Sequence, residues 1–185
     1  MMTEISLNVL DVAENCIRAD ASLVEISCLA DTASDRLTVV IKDNGCGMSG
    51  EKLKAVTDPF FTTRTTRRVG LGVSFFKLSA ELTGGSFGIE SQEGVGTVVT
   101  AVYVISSIDR MPLGDMPSTI HSLVTLNLSV DFVYTYTVDG SSFTLDTREF
   151  REILGDVPFD SGEVSAYIKE YLDENTAAVN AGRIF

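Results

Sequence analysis

Residues 36–43 read RLTVVIKD, and the next five, NGCGM, contain an asparagine and two glycines. Leu, Val, Val and Ile fit a pleated, half-buried surface, so a strand is predicted here. The residues after Asp43 cannot prolong it, because glycine favours no extended conformation and adds no side chain to pack. The chain must therefore close a strand on Asp43 and leave a backbone poor in Cβ atoms beside that carboxylate. An ionised carboxylate only accepts hydrogen bonds, so Asp43 would select a donor such as an exocyclic amino group and prefer adenine to guanine at that edge. Gly45 and Gly47 would let another molecule approach the main chain without a Cβ in the way. On these residues alone, a tight Asn-Gly turn explains the segment equally well.

The surrounding chain supplies more of a framework. From Thr3 to Ala19, apolar residues such as Ile5, Val9, Val12 and Cys16 recur at three- and four-residue steps, which predicts an amphipathic helix. SLVEISCLA (22–30) and RLTVVIKD (36–43) then read as a hairpin. Residues 49–69 are polar and punctuated, a second helix is predicted from about Leu71 to Leu82 with Gly84 and Gly85 as stops, and two more strands follow around the turn QEGVG. Pro112, Gly114 and Pro117 mark 109–118 as a linker. Beyond it Leu126, Leu128, Val130, Phe132, Tyr134, Tyr136 and Val138 alternate with mostly polar residues, predicting a long strand with one buried face. Asp139-Gly140 turns into a partner strand, and Asp146 and Asp160 open helices at roughly 147–154 and 161–178. The apolar face of the long strand needs cover from these helices or from a second subunit, so a homodimer is one expectation.

Two other stretches bear on chemistry. Gly70-Leu71-Gly72 immediately precedes a helix, where unpaired N–H groups and the positive dipole end attract phosphate oxygens. Arg64, Arg67 and Arg68 cluster just upstream in a chain short of positive charge, either to hold phosphate or as a solvated loop. On the first helix Asp11 and Asn15 stand at i and i+4, on one face. An amide oxygen suits Mg²⁺ and a neighbouring carboxylate can orient or deprotonate a water, although both residues also belong on a polar helix face.

With 26 acids against 14 bases the net charge is −12, which repels polyanions and argues against nucleic acid as a partner. No apolar stretch approaches the length of a bilayer, and the N-terminal segment carries Glu4 and no basic run, so neither membrane insertion nor export is expected. Cys16, Cys28 and Cys46 are odd in number and spaced for neither a disulfide framework nor a zinc knuckle. Reduced thiols in a cytoplasmic protein are the expectation.

Taken in order, LDVAENCIRADASLVEI, DNGCGM, DPFFTTR, VGLGVSFFKLSAELTGGSFGIES and GVGTVVTAVY resemble the N, G1, F, G2 and G3 boxes of the GHKL superfamily of gyrase, heat-shock chaperone, histidine kinase and mismatch-repair ATPases. The resemblance covers about residues 5–105 and is nearest in flavour to the ATP-binding domain of two-component histidine kinases. It implies an α+β fold, a two-layer sandwich of the Bergerat type over residues 1–108, with 119–185 as a small ββαα appendage. It further implies that ATP and Mg²⁺ are the ligands. Asn15 would ligate the metal, Asp43 would meet the adenine amino group, and Gly45, Gly47, Met48 and Thr97 would shape the pocket. Phe60 would brace a lid, and Arg64, Arg67, Gly70, Leu71 and Gly72 would hold phosphates. Asp11 would be the catalytic carboxylate, where gyrase-like members carry Glu, and Arg68 stands where a glycine is usual.

The expected role is an ATP-binding signalling protein that transfers the γ-phosphate to a partner protein in trans. Its only histidine, His121, falls at the entry to a predicted strand without an acidic neighbour and is expected to be structural. A non-catalytic ATP sensor and a slow ATPase are the competing expectations.

Overall fold

The computed structural model describes residues 3–57, 71–155 and 157–185. In chain order they form α1 (Ile5–Arg18), β1 (Leu23–Asp31), β2 (Arg36–Asp43), α2 (Gly50–Thr57), α3 (Leu71–Leu82), β3 (Ser86–Gln92), β4 (Gly96–Val104), α4 (Met116–Leu126), β5 (Asp131–Val138), β6 (Ser141–Asp146), α5 (Thr147–Leu154) and α6 (Gly162–Asn180). The strands make one mixed sheet in the order β3-β4-β2-β1-β5-β6, antiparallel everywhere except at β1 and β5. The fold is α+β, as the sequence implied.

The period-2 pattern of each strand puts alternate residues under the helices. One row across the sheet runs Ile89, Val99, Ile41, Ile26, Tyr134 and Leu145, and from Val99 onward every member is buried. The next row holds Thr100, Val40, Ser27, Thr135 and Thr144, all more open to solvent. A single apolar core, running from α3 over Phe76 to α6 over Leu172, therefore joins both halves of the chain. Burial of this row and of the helix faces above it is the main stabilising term.

The C-terminal region departs from the expected appendage. Its strands and helices follow the predicted ββαα order, but β5 pairs parallel with β1 from Leu23↔Asp131 to Ala30↔Val138 and extends the same sheet. Nor is 109–118 a free linker. The first N–H groups of a helix lack partners within it; at α1, which has no side-chain cap, Ile5 N donates to Pro112 O (3.0 Å) and Ser6 N to Leu113 O (2.9 Å).

Two helices were absent from the sequence reading. α2 occupies residues 50–57 of the polar stretch 49–69, and α4 replaces the expected entry to a strand. Asp115 caps α4 by accepting from Ser118 N at 2.9 Å, with Pro117 in the first turn, so these residues mark a helix start rather than a linker. The strand thus begins at Asp131 and not at Leu126, which ends α4 and is exposed. From Phe132 onward the alternation is as predicted: Phe132, Tyr134, Tyr136 and Val138 are buried. Their cover comes from α4 and α6, with Phe143 edge-on to Tyr134 and Tyr171 edge-on to Phe143, so this face calls for no second subunit. His121 lies within α4, where its Nε2 meets Ser165 Oγ at 2.9 Å and joins α4 to α6. Among the described residues no helix is long and apolar enough to cross a membrane.

A shared core predicts shared unfolding. Leu123 on α4 is 1% exposed, so Leu123→Ala should lower stability by about 2–5 kcal/mol. Thermal unfolding followed by circular dichroism and by fluorescence should move as one transition, including for probes placed in β3.

Candidate functional site

The candidate residues gather where β2 ends and α1 ends. Asp43 closes β2, is 7% exposed, and accepts from Gly45 N at 2.8 Å through Oδ1. The chain then doubles back on α1: Cys46 N donates to Ala19 O at 2.8 Å. Gly45 is the only residue type that fits this bend, because a Cβ would stand 2.6 Å from Ala19 O and 2.9 Å from Asp43 Oδ1. Asn44, which the sequence reading passed over, supplies the other anchor. Its Oδ1 accepts from Ser22 N (2.9 Å) and Leu23 N (3.0 Å), tying the loop to the start of β1.

A second set of contacts joins the loop to the β3–β4 turn. Cys46 O accepts from Gly94 N at 2.8 Å, and Gly47 sits at φ +65° with Gln92 O 2.0 Å from where a Cβ would lie. Ser91 is the missed residue here: its Oγ lies 2.9 Å from Met48 N, 2.8 Å from Thr97 Oγ1 and 3.0 Å from Gly96 O. Thr97 is also the register partner of Asp43 across β2 and β4. Asp43, Gly45, Gly47, Met48 and Thr97 are thus brought together. A serine inside a strand gave no signal that it would serve as their junction.

On the other side, α3 closes against the middle of α1. A Cβ at Gly72 would lie 1.6 Å from Asp11 Oδ2, so this glycine lets the start of α3 pack directly on the carboxylate. Among the described residues, Asp11 Oδ2 is itself buried without a hydrogen-bond partner. One turn on, Asn15 Oδ1 accepts from Arg18 Nη1 at 3.1 Å, and Arg18 also pairs with Glu14 at 2.5 Å. Leu71 opens α3, whereas Phe60, Arg64, Arg67 and Gly70 lie outside the described residues.

Cys16, adjacent to Asn15 on α1, donates to Val12 O at 3.2 Å and lies close to Asp43. Burial, reinforced by the negative charge of Asp43, pushes its thiol well above the usual range. Burial alone pushes the Cys28 thiol up to about 12. Cys46 is exposed on the loop. The Cys16 thiol and the Asp43 carboxylate lie together at the floor of the site. The arrangement is a polar shelf along one flank of α1, with an acceptor-only carboxylate at one end and the start of α3 at the other.

A family model described as "Histidine kinase-, DNA gyrase B-, and HSP90-like ATPase" matches residues 2–106. A sensor protein of Shewanella frigidimarina is 31% identical over 107 residues, covering 57% of this chain and 16% of that one. The sensor histidine kinase ZraS of Escherichia coli is 28% identical over 113 residues, covering 61% of this chain and 23% of the kinase. The chain thus spans less than a quarter of the length of these relatives. Among solved structures, the N-terminal domain of a DNA repair protein has a TM-score of 0.55 at 13% identity, covering 78% of this chain and 53% of that chain, a likeness of fold.

Two outcomes test this geometry. Gly72→Ala should cost about 1–3 kcal/mol through overpacking against Asp11, and the double variant with Asp11→Ala should recover most of it, measured by thermal melts. In the native protein iodoacetamide should alkylate Cys46 but leave Cys16 and Cys28 unmodified until denaturant is added, as read by mass spectrometry.

Proposed function

The chain belongs to the family of histidine kinase-, DNA gyrase B- and HSP90-like ATPases, and on that premise we propose that it binds ATP with Mg²⁺ on the α1 shelf and passes the γ-phosphate to a partner protein. The observation that carries the reading is the convergence of Asp43, Gly45, Met48 and Thr97 at the end of α1 whose middle carries Asp11 against Gly72.

Asp43 has one oxygen committed to Gly45 N–H; the other would accept from the adenine amino group and reject a carbonyl at that position. Thr97 and Ser91 share a proton-donating pair at the pocket wall and would orient the ring edge. The start of α3 would meet phosphate oxygens with its unpaired N–H groups, and Arg64, Arg67 and Gly70 would complete that contact. The donor set suits magnesium: Asp11 Oδ2 is a buried carboxylate oxygen without a partner, and Asn15 offers an amide oxygen one turn away once Arg18 releases it. Bound there, Mg²⁺ would supply charge neutralisation on the phosphates. Phosphoryl transfer needs little covalent help from a protein, so positioning by these residues is the catalytic contribution.

A second reading is an ATP-sensing module that does not transfer phosphate. It draws on Asn15, whose amide oxygen accepts from Arg18 Nη1, so that a ligand taking that oxygen would have to rearrange the end of α1 beside β1 and β5.

Titration calorimetry should detect ATP binding that tightens with Mg²⁺, and Asp43→Asn should weaken it at least tenfold, about 1.4 kcal/mol. Retained affinity in Asp43→Asn would overturn the site. With γ-labelled ATP, label should reach a partner protein; binding without any transfer would favour the sensing module.

A further inference from the structure

We propose that Asn8 is a positioning residue for Asp11: on binding of the magnesium nucleotide its side-chain N–H donates to the partnerless Asp11 Oδ2 and fixes the carboxylate toward the metal. This rests on the reading that Asp11 and Asn15 face the metal.

The starting observation is an anomaly in the core. Asn8 is 0% exposed, and among the described residues neither its Oδ1 nor its Nδ2 has a hydrogen-bond partner. Of its buried neighbours on α1, Ile5, Val9, Val12, Ala13 and Cys16 are apolar and at most 5% exposed, and Ser6 is the other buried polar residue. An aliphatic residue at position 8 would satisfy the helix pattern, whereas a buried amide without partners is unfavourable. Position 8 therefore carries a group that weakens the fold.

A second, independent orphan indicates what the amide is for. Asp11 Oδ2 is also buried and partnerless, and it stands three residues on, within reach along one helix side. At roughly 100° per residue, Asn8, Asp11 and Asn15 fall within an arc of about 60°. The Gly72–Asp11 approach sets the Asp11 edge of this arc against the start of α3. One orphan donor and one orphan acceptor on the same flank are chemically matched: an N–H and a carboxylate oxygen. Their union would satisfy both and orient the carboxylate, a charge-assisted bond stronger than a neutral one.

The test compares Asn8→Leu with wild type, using ADP or a non-hydrolysable ATP analogue in calorimetry, with and without Mg²⁺. Without nucleotide, the leucine variant should melt about 2–4 °C higher, because a buried orphan amide is gone. Its nucleotide affinity without Mg²⁺ should match wild type, while the gain conferred by Mg²⁺ should fall about tenfold, the size of one hydrogen bond to a charged group. Asn8→Ser, which keeps a donor, should recover part of that gain and carries the test if the leucine variant misfolds. An unchanged Mg²⁺ gain in Asn8→Leu overturns the proposal, and so does a parallel loss of stability and of Mg²⁺-free binding, which would make Asn8 purely structural. If wild type itself shows no Mg²⁺-dependent gain, the site reading has failed and this inference falls with it.

Discussion

The packing of the loop after β2 onto the last turn of α1 is the constraint on which the rest of the structure depends. Cys46 N–H meets Ala19 O, and Gly45 lies so close to the same carbonyl that any side chain would force the two apart. Because the loop is pinned there, Asp43 is held in the interior instead of turning to water, and its charge lies against Cys16. Asn44 adds the start of β1 to the same junction, so three elements meet within one short segment. A polar site on a rigid junction retains its geometry at little further cost, since the conformational entropy has already been lost in folding.

β1 links the site to the remainder of the chain. It pairs antiparallel with β2, whose end carries Asp43, and parallel with β5, whose start Asp131 N donates to Ser22 O at 2.9 Å. The C-terminal half is consequently hydrogen-bonded to the same residues that anchor the loop after β2. A change at the end of α1, such as release of Asn15 by Arg18, would act on a segment shared with β5. This gives the C-terminal half a physical route to the site, one the extended sheet provides without a hinge or a separate interface.

The polar residues of α1 divide along its length. Asp11 faces the start of α3 at Gly72, with Asn8 and Asn15 on the same flank by helical spacing, while the apolar set from Ile5 to Cys16 is buried. Most polar groups in the site are satisfied within the protein, Asp43 by Gly45 and Thr97 by Ser91. Among the described residues, Asn8 and Asp11 Oδ2 are unsatisfied three positions apart on α1, while Tyr134 Oη, Ser161 Oγ and Thr176 Oγ1 are unsatisfied elsewhere. Buried polar atoms without partners oppose folding, so each is a cost the fold carries at its place.

Local pattern was enough to determine much of this protein. The end of β2 at Asp43, the glycine-opened loop, the span of α3 from Leu71 to its stop at Gly84, and the buried face Phe132, Tyr134, Tyr136 and Val138 all follow from period, turn residues and caps, which act over a few positions. α4 escaped because Pro112, Gly114 and Pro117 resemble a linker, although Asp115 with Pro117 is equally a helix start. Only the tertiary structure decided that β5 lies beside β1, that Ser91 joins Met48 to Thr97, and that Gly72 meets Asp11. These are contacts between residues far apart in the chain, and no local propensity encodes them: they form because one sheet face must be covered everywhere at once, which fixes partners that a reading along the chain cannot rank.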